Sequence, residues 1–197
     1  MRISQTSHTA TAALAAAVLL LAGAPMAVAQ QTTPVSELSR AERDRMMLES
    51  QSRVMDADRL YQEAKAHQER GEWKKAAARY ERSARLRGDG DMKTAKLYWK
   101  AADAYFLAGK PGRSVTNFER AAASAMEFGD ITLAADSYLK AALISQERGD
   151  QIRANDNGWK AHRLSGSTAL SAEVRRAIRQ HLVVGETIVA LGGGILR

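Results

Sequence analysis

The sequence predicts an all-α fold: antiparallel helical hairpins stacked one on the next as a solenoid. Three observations carry this. Glycines fall at near-regular positions, Gly71, Gly90, Gly109, Gly129 and Gly149, in steps of 19 or 20 residues. Each step holds one helix of about four turns plus a tight turn. Related segments recur at a distance of two such steps. No stretch alternates apolar and polar residues with β-branched enrichment, so no sheet is expected. The 197-residue length suits one domain with an appendage, and 45% apolar with 26% charged residues is a globular composition.

The elements follow in order. Arg2 begins the chain, an apolar run covers 10–24, and Pro25 precedes the small-x-small sequence Ala27-Val28-Ala29. This is the pattern of an export signal, with residues 1–29 cleaved and Gln30 exposed as the new terminus. An uncleaved anchor helix is the competing reading; the run is short for a membrane span. Residues 30–56 read as a flexible leader with Pro34, followed by an N-terminal helix. Ser39 and Glu42 are spaced as a capping box. No Gly or Pro then occurs up to Arg70, which allows one long helix or two with a bend near 54–57. Asp91, Asp130 and Asp150 each follow a glycine and are placed as N-caps, and Pro111 suits a first helical turn. Such short connections force neighbouring helices to run antiparallel.

The recurrence is explicit. Tyr98-Trp99-Lys100-Ala101-Ala102 returns as Tyr138-Leu139-Lys140-Ala141-Ala142, and Tyr80-Glu81-Arg82-Ser83-Ala84 as Phe118-Glu119-Arg120-Ala121-Ala122. Alanine lets two helix axes approach closely, and an aromatic one turn away fills the gap to the next hairpin. Here the chain resembles the tetratricopeptide repeat family over about 57–168, in about three repeats. The first matches at Leu60, Ala64, His67, Gly71, Ala76, Tyr80 and Ser83. The second matches at Tyr98, Ala101, Ala102, Tyr105, Gly109, Ser114, Phe118 and Ala121. The third matches at Tyr138, Ala141, Ala142, Gly149, Ala154 and Ala161. In the third, Ser145 and Gly158 stand where aromatics are expected, with Trp159 the residue available to fill the gap. No repeat closes with proline. An alanine-rich bundle without repeats is the alternative architecture.

Arrays expose an apolar face at each end, which terminal elements cover. The helix from Ser39, with Met46, Met47, Val54 and Leu60, is expected to cover the first end. Residues 169–197 are expected to form a C-terminal capping helix and tail: Ser171 as N-cap, a helix to about Leu191 with Val174, Ile178, Leu182, Ile188 and Leu191 as its apolar positions, then Gly192-Gly193-Gly194. The apolar tail packs on the last hairpin or meets a membrane or partner.

Chemistry is sparse. No cysteine is present, which excludes disulfides, thiolate metal sites and thiol nucleophiles. His67, His162 and His181 form no ligand-spaced pair, and no nucleophile elbow, Walker loop or dinucleotide fingerprint occurs. No catalytic residue, cofactor or metal is therefore assigned, and the chain is read as no enzyme. Arg87-Gly88-Asp89 and Arg148-Gly149-Asp150 both fall at helix turns and are read as turn chemistry.

Binding is the expected role. The family resemblance implies that the first helix of each hairpin lines a concave face that takes a protein or peptide segment. Carried over by position, that face includes Tyr61, Lys65 and Gln68, then Lys96, Trp99, Asp103 and Phe106, then Asp136, Leu139 and Leu143. Trp99 and Phe106 are read equally as anchors on the groove or as packing between hairpins. The family's Lys–Asn carboxylate clamp is not expected, since no Asn stands at the matching places. The net charge of +7 leaves a second class open: an envelope-associated protein that meets polyanions or a membrane surface through basic helices and the apolar tail. The export signal argues against an intracellular nucleic-acid role and places the protein in the periplasm or outside a Gram-negative-type cell.

Overall fold

A computed structural model describes residues 39–180, and these form one helical array. Six helices have both ends defined: α1 (Arg40–Glu69), α2 (Trp73–Arg87), α3 (Lys93–Leu107), α4 (Pro111–Glu127), α5 (Ile131–Glu147) and α6 (Gln151–Leu164). A seventh, α7, begins at Ala172. No strand occurs among the described residues. Consecutive helices pack on one another as hairpins α1–α2, α3–α4 and α5–α6. The odd-numbered helices form one layer, in which α3 also touches α5, and the even-numbered helices form the other. The segment expected to act as an export signal and the sequence after Gln180, with Leu182, Ile188, Leu191 and the triple glycine, lie outside the described residues.

The caps explain where helices start. Ser39 and Glu42 form the reciprocal capping box at α1. Asp130 Oδ1 accepts from the Leu133 amide at 3.0 Å, and Asp150 Oδ1 from Arg153 at 3.2 Å. Pro111 sits in the first turn of α4, and Ser171 Oγ accepts from the Val174 amide at α7. Asp91 differs slightly: its carboxylate takes the Lys93 amide at 2.8 Å, ahead of a helix whose cap residue is Met92. The second turn also pivots elsewhere than expected. Gly88, not Gly90, carries the positive φ, at φ 72 and ψ 178, because α2 stops at Arg87. That backbone region is essentially reserved for glycine.

α1 is a single helix of 30 residues, about 45 Å long at 1.5 Å per residue. Its first buried residue is Ala57, and only its second half, with Leu60 and Ala64, packs on α2. Met46, Met47 and Val54, expected to cover the first end of the array, are exposed instead. The second half of α1 is itself the first helix of a hairpin, so its upstream half extends past the reach of α2. At the other end Leu170, Val174, Ala177 and Ile178 pack on Ala135, Leu139 and Ala161. α7 therefore lies where the first helix of a fourth hairpin would.

The 38–40 residue register is repeated in side-chain contacts. Lys100 Nζ sits 5.9 Å over the Tyr80 ring, and Lys140 Nζ 5.7 Å over Phe118. Arg120 Cζ sits 5.8 Å over Tyr98, and Lys160 Nζ 5.6 Å over Tyr138. The acids also keep the register, Glu81 on α2 and Glu119 on α4, although their arginines do not: Arg120 of α4 binds the first at 3.0 Å and Arg153 of α6 the second at 2.5 Å. The alanines behave as the packing argument requires: Ala101, Ala102, Ala141 and Ala142 are fully buried. Trp159 does not fill the place beside buried Gly158; it points outward.

Candidate partner-binding groove

The odd-helix layer presents an open face on each side of α3. Its first cleft lies between α1 and α3, lined by Asp58, Tyr61, Arg87, Lys93, Lys96, Leu97 and Lys100. The second lies between α3, α5 and α7, lined by Lys96, Trp99, Lys100, Asp130, Thr132, Leu133, Asp136 and Val174. Lys96 and Lys100 belong to both. The helical period explains this: Lys96, Lys100, Asp103 and Phe106 follow one another at three- or four-residue steps, the spacing of one helix face. The opposite face of α3 carries Ala101, Ala102 and Tyr105 into the core.

The expected site residues fall into three groups. Tyr61, Lys96, Trp99 and Asp136 line the two clefts. Lys65, Gln68, Phe106 and Leu143 are exposed and Asp103 is half-buried, further along the same helices. Leu139 does not belong to the face. It is 5% exposed and packed with Leu170 and Ile178. The reason is positional: the slot occupied by Trp99 on α3 points toward the next hairpin's first helix, and at α5 that neighbour is α7.

Trp99 settles between the two roles left open for it. Its indole Nε1 donates to Asp136 Oδ2 at 2.8 Å. Lys140 Nζ lies 4.1 Å from the ring centroid and 3.7 Å from the same carboxylate, and Phe118 meets the ring edge-on at 6.1 Å. Trp99 is thus half-buried, pinned across the α3–α5 junction with one part of its ring in the cleft. Phe106, at 45% exposure, is not packed between hairpins.

Lys100 and Lys140 were not singled out as site residues. The signal was present, since both stand in the repeated Tyr-x-Lys-Ala-Ala segment. What was not visible is that each lysine leans over the aromatic ring of the preceding hairpin and keeps its charge on the face. Attraction between a cation and a ring face is worth about 0.5–1 kcal/mol at exposed sites.

Charge on the face is uneven. Arg87 is spent on Asp58 and Asp91, with its side chain only 4% exposed. Lys93, Lys96 and Lys100 leave the α1–α3 cleft cationic. Beneath it, burial pushes the Tyr80 hydroxyl up to about 12, and that hydroxyl donates to Gln68 Oε1 at 2.8 Å. Gln68 is thereby held in place at the end of α1. Held by Asp58 and Asp91, the Arg87 side chain is not displayed at the Arg87-Gly88-Asp89 turn.

No group of three or more acidic or histidine side chains able to hold a metal occurs among the described residues. His67 Nδ1 lies 2.5 Å from Glu72 in the α1–α2 turn, and His162 packs edge-on against Trp159; His181 lies outside the described residues. No helix among the described residues is long and apolar enough to cross a membrane.

A family model described as "SNAP: Soluble NSF attachment protein, SNAP" matches residues 34–174. The chain belongs to this family. The soluble NSF attachment protein match spans α1 to α6 and the start of α7. It supports the helical-repeat class expected from the internal register, and within that class it assigns the soluble NSF attachment protein family. No curated protein and no solved structure matches the chain.

Proposed function

We propose that the protein is a non-enzymatic adaptor that captures a protein or peptide segment along the face of α1, α3 and α5. The observation that carries this reading is the pair of clefts flanking α3 and sharing Lys96 and Lys100. Membership in a family named for attachment supports the same role. Lys65, Lys93, Lys96 and Lys100 favour a segment with acidic residues, since complementary charge speeds and orients encounter. Phe106 and Leu143, toward the C-terminal ends of α3 and α5, offer apolar anchors. Trp99 and Asp136 join α3 to α5 within the second cleft and present part of the indole there.

Affinity capture from the source cells tests the proposal. Proteins retained by wild type should be lost from Lys96→Glu/Lys100→Glu and from Phe106→Ala. They should be kept by Arg82→Glu, which changes an exposed side chain on α2. Equal retention by all four proteins contradicts the groove. Association with anionic lipids or polymers is the competing reading, favoured by the three lysines of the α1–α3 cleft. It predicts binding to anionic vesicles that collapses as salt is raised, with no saturable protein partner.

Residues 1–29 are proposed to direct export, so that the working chain begins at Gln30 in the periplasm or outside the cell. N-terminal sequencing of exported material should read Gln30 first. A start at Met1 contradicts export by cleavage.

A further inference from the structure

We infer that the outer face of α6 is a contact between two copies of this chain. The internal register identifies the face. In the even-helix layer each helix is covered by the next: Glu81 of α2 is held by Arg120 of α4, and Glu119 of α4 by Arg153 and Asn157 of α6. The Glu81 and Glu119 side chains are accordingly 13% and 29% exposed. The matching position on α6 is Trp159, and it is 61% exposed. The position matching Gly112, where an added Cβ would stand 3.4 Å from the Arg148 guanidinium, is Ile152, at 87% exposure. Where α2 and α4 offer a carboxylate to the cations of the following helix, α6 offers an indole and an isoleucine. Among the described residues the lock of the repeat ends there, and an apolar surface takes its place on the same side.

The stripe also indicates what covers it. Ile152, Asp156, Trp159 and Arg163 follow at intervals of four, three and four residues, which sets them within about 60° on one face of a helix at 3.6 residues per turn. An acid precedes Trp159 and a base follows it; Asp156 holds Lys160 of its own helix at 2.7 Å and, with its side chain 58% exposed, keeps a free side toward a second copy. A twofold axis at Trp159, with the two α6 helices running in opposite directions, brings the two indoles together. It sets Asp156 of each copy within one residue's rise, about 1.5 Å, of level with Arg163 of the other. Such a surface is complementary to itself, which is what a twofold contact requires. The contact lies in the even-helix layer and leaves the groove of the odd layer open, so it stands or falls apart from the adaptor reading.

Sedimentation velocity of the full chain over a broad concentration range tests this. Wild type should pass from monomer to dimer as concentration rises. Trp159→Glu should raise the dimer dissociation constant about tenfold or more. Asp156→Arg and Arg163→Asp should each weaken the dimer, and the double exchange should recover it. Circular dichroism should show wild-type helix content in every variant. A wild type that stays monomeric at all concentrations overturns the inference, as does a dimer indifferent to Trp159→Glu. If Trp159→Glu lowers the thermal midpoint of a monomeric wild type, the chain covers its own α6, which also overturns it.

Discussion

Ala102 shows how much a single methyl group decides in this array. It is fully buried where Val115 and Phe118 of α4 meet Ala141 and Ile144 of α5. Three helices converge on it, and no larger side chain fits without moving one of them. Ala102→Leu should cost about 1–3 kcal/mol, read as a lower thermal midpoint beside wild type. An unchanged midpoint would mean that the hairpins do not meet there. Trp99 carries both kinds of consequence. Its loss removes the ring held by Phe118 and Lys140 and leaves Asp136 without the indole donor. Trp99→Ala should therefore cost about 2 kcal/mol or more of stability and also weaken partner capture. A variant with native stability and native capture would remove Trp99 from both roles. Residues 98–102 were readable as a packing pair beside an exposed edge, because helix phase follows from the alanines. Leu139 was misplaced because α7, not any local pattern, covers it.

At the scale of the helix and its turn, Gly88 and Gly90 form a natural contrast. Gly88 ends α2 at φ 72 and ψ 178, while Gly90 two residues on has no positive φ. Gly88→Ala should cost about 1–3 kcal/mol and Gly90→Ala well under 1 kcal/mol, measured by urea unfolding. Comparable losses at both would put the pivot elsewhere. Sequence spacing pointed to Gly90 because both glycines fit a turn; the hydrogen bond of the Gly88 amide to Ala84 O, which ends the helix, is not a spacing signal. The acid ladder between even helices was equally unreadable, since it joins residues up to 39 positions apart. Burial raises the carboxyls of Glu81 and Glu119, but bonds from Tyr105 and Arg85 to the first, and from Arg153 and Asn157 to the second, bring both below their ordinary 4.5. The His67 contact and Lys75 bring Glu72 to about 2. A carboxyl held lower when folded stabilises the fold above its unfolded value and loses that contribution as pH falls. The thermal midpoint should thus decline as pH drops from 4.5 toward 2. Glu119→Gln should be less stable than wild type at neutral pH by about 1–3 kcal/mol and flatter across the acid range. A wild-type midpoint indifferent to acid would contradict the ladder.

For the described array, hairpin order and the register of about 40 residues follow from glycine spacing and the alanine–aromatic segments, and the cation–ring contacts repeat at that same interval. The exposed first half of α1 does not follow, because Met46, Met47 and Val54 look like core residues until the length of α2 is known. The groove was legible as a stripe on α3 and α5 but not as two clefts sharing a pair of lysines, which depends on how α1, α3, α5 and α7 sit side by side. The claim that this layer is the working surface is tested most directly by a photoreactive amino acid placed singly at Phe106 and Leu143 on the odd layer and at Arg82 on the even layer. With partner extract present, irradiation should yield adducts to the same partner at Phe106 and Leu143 and none at Arg82. Adducts at Arg82 alone, with none from the odd layer, would contradict it.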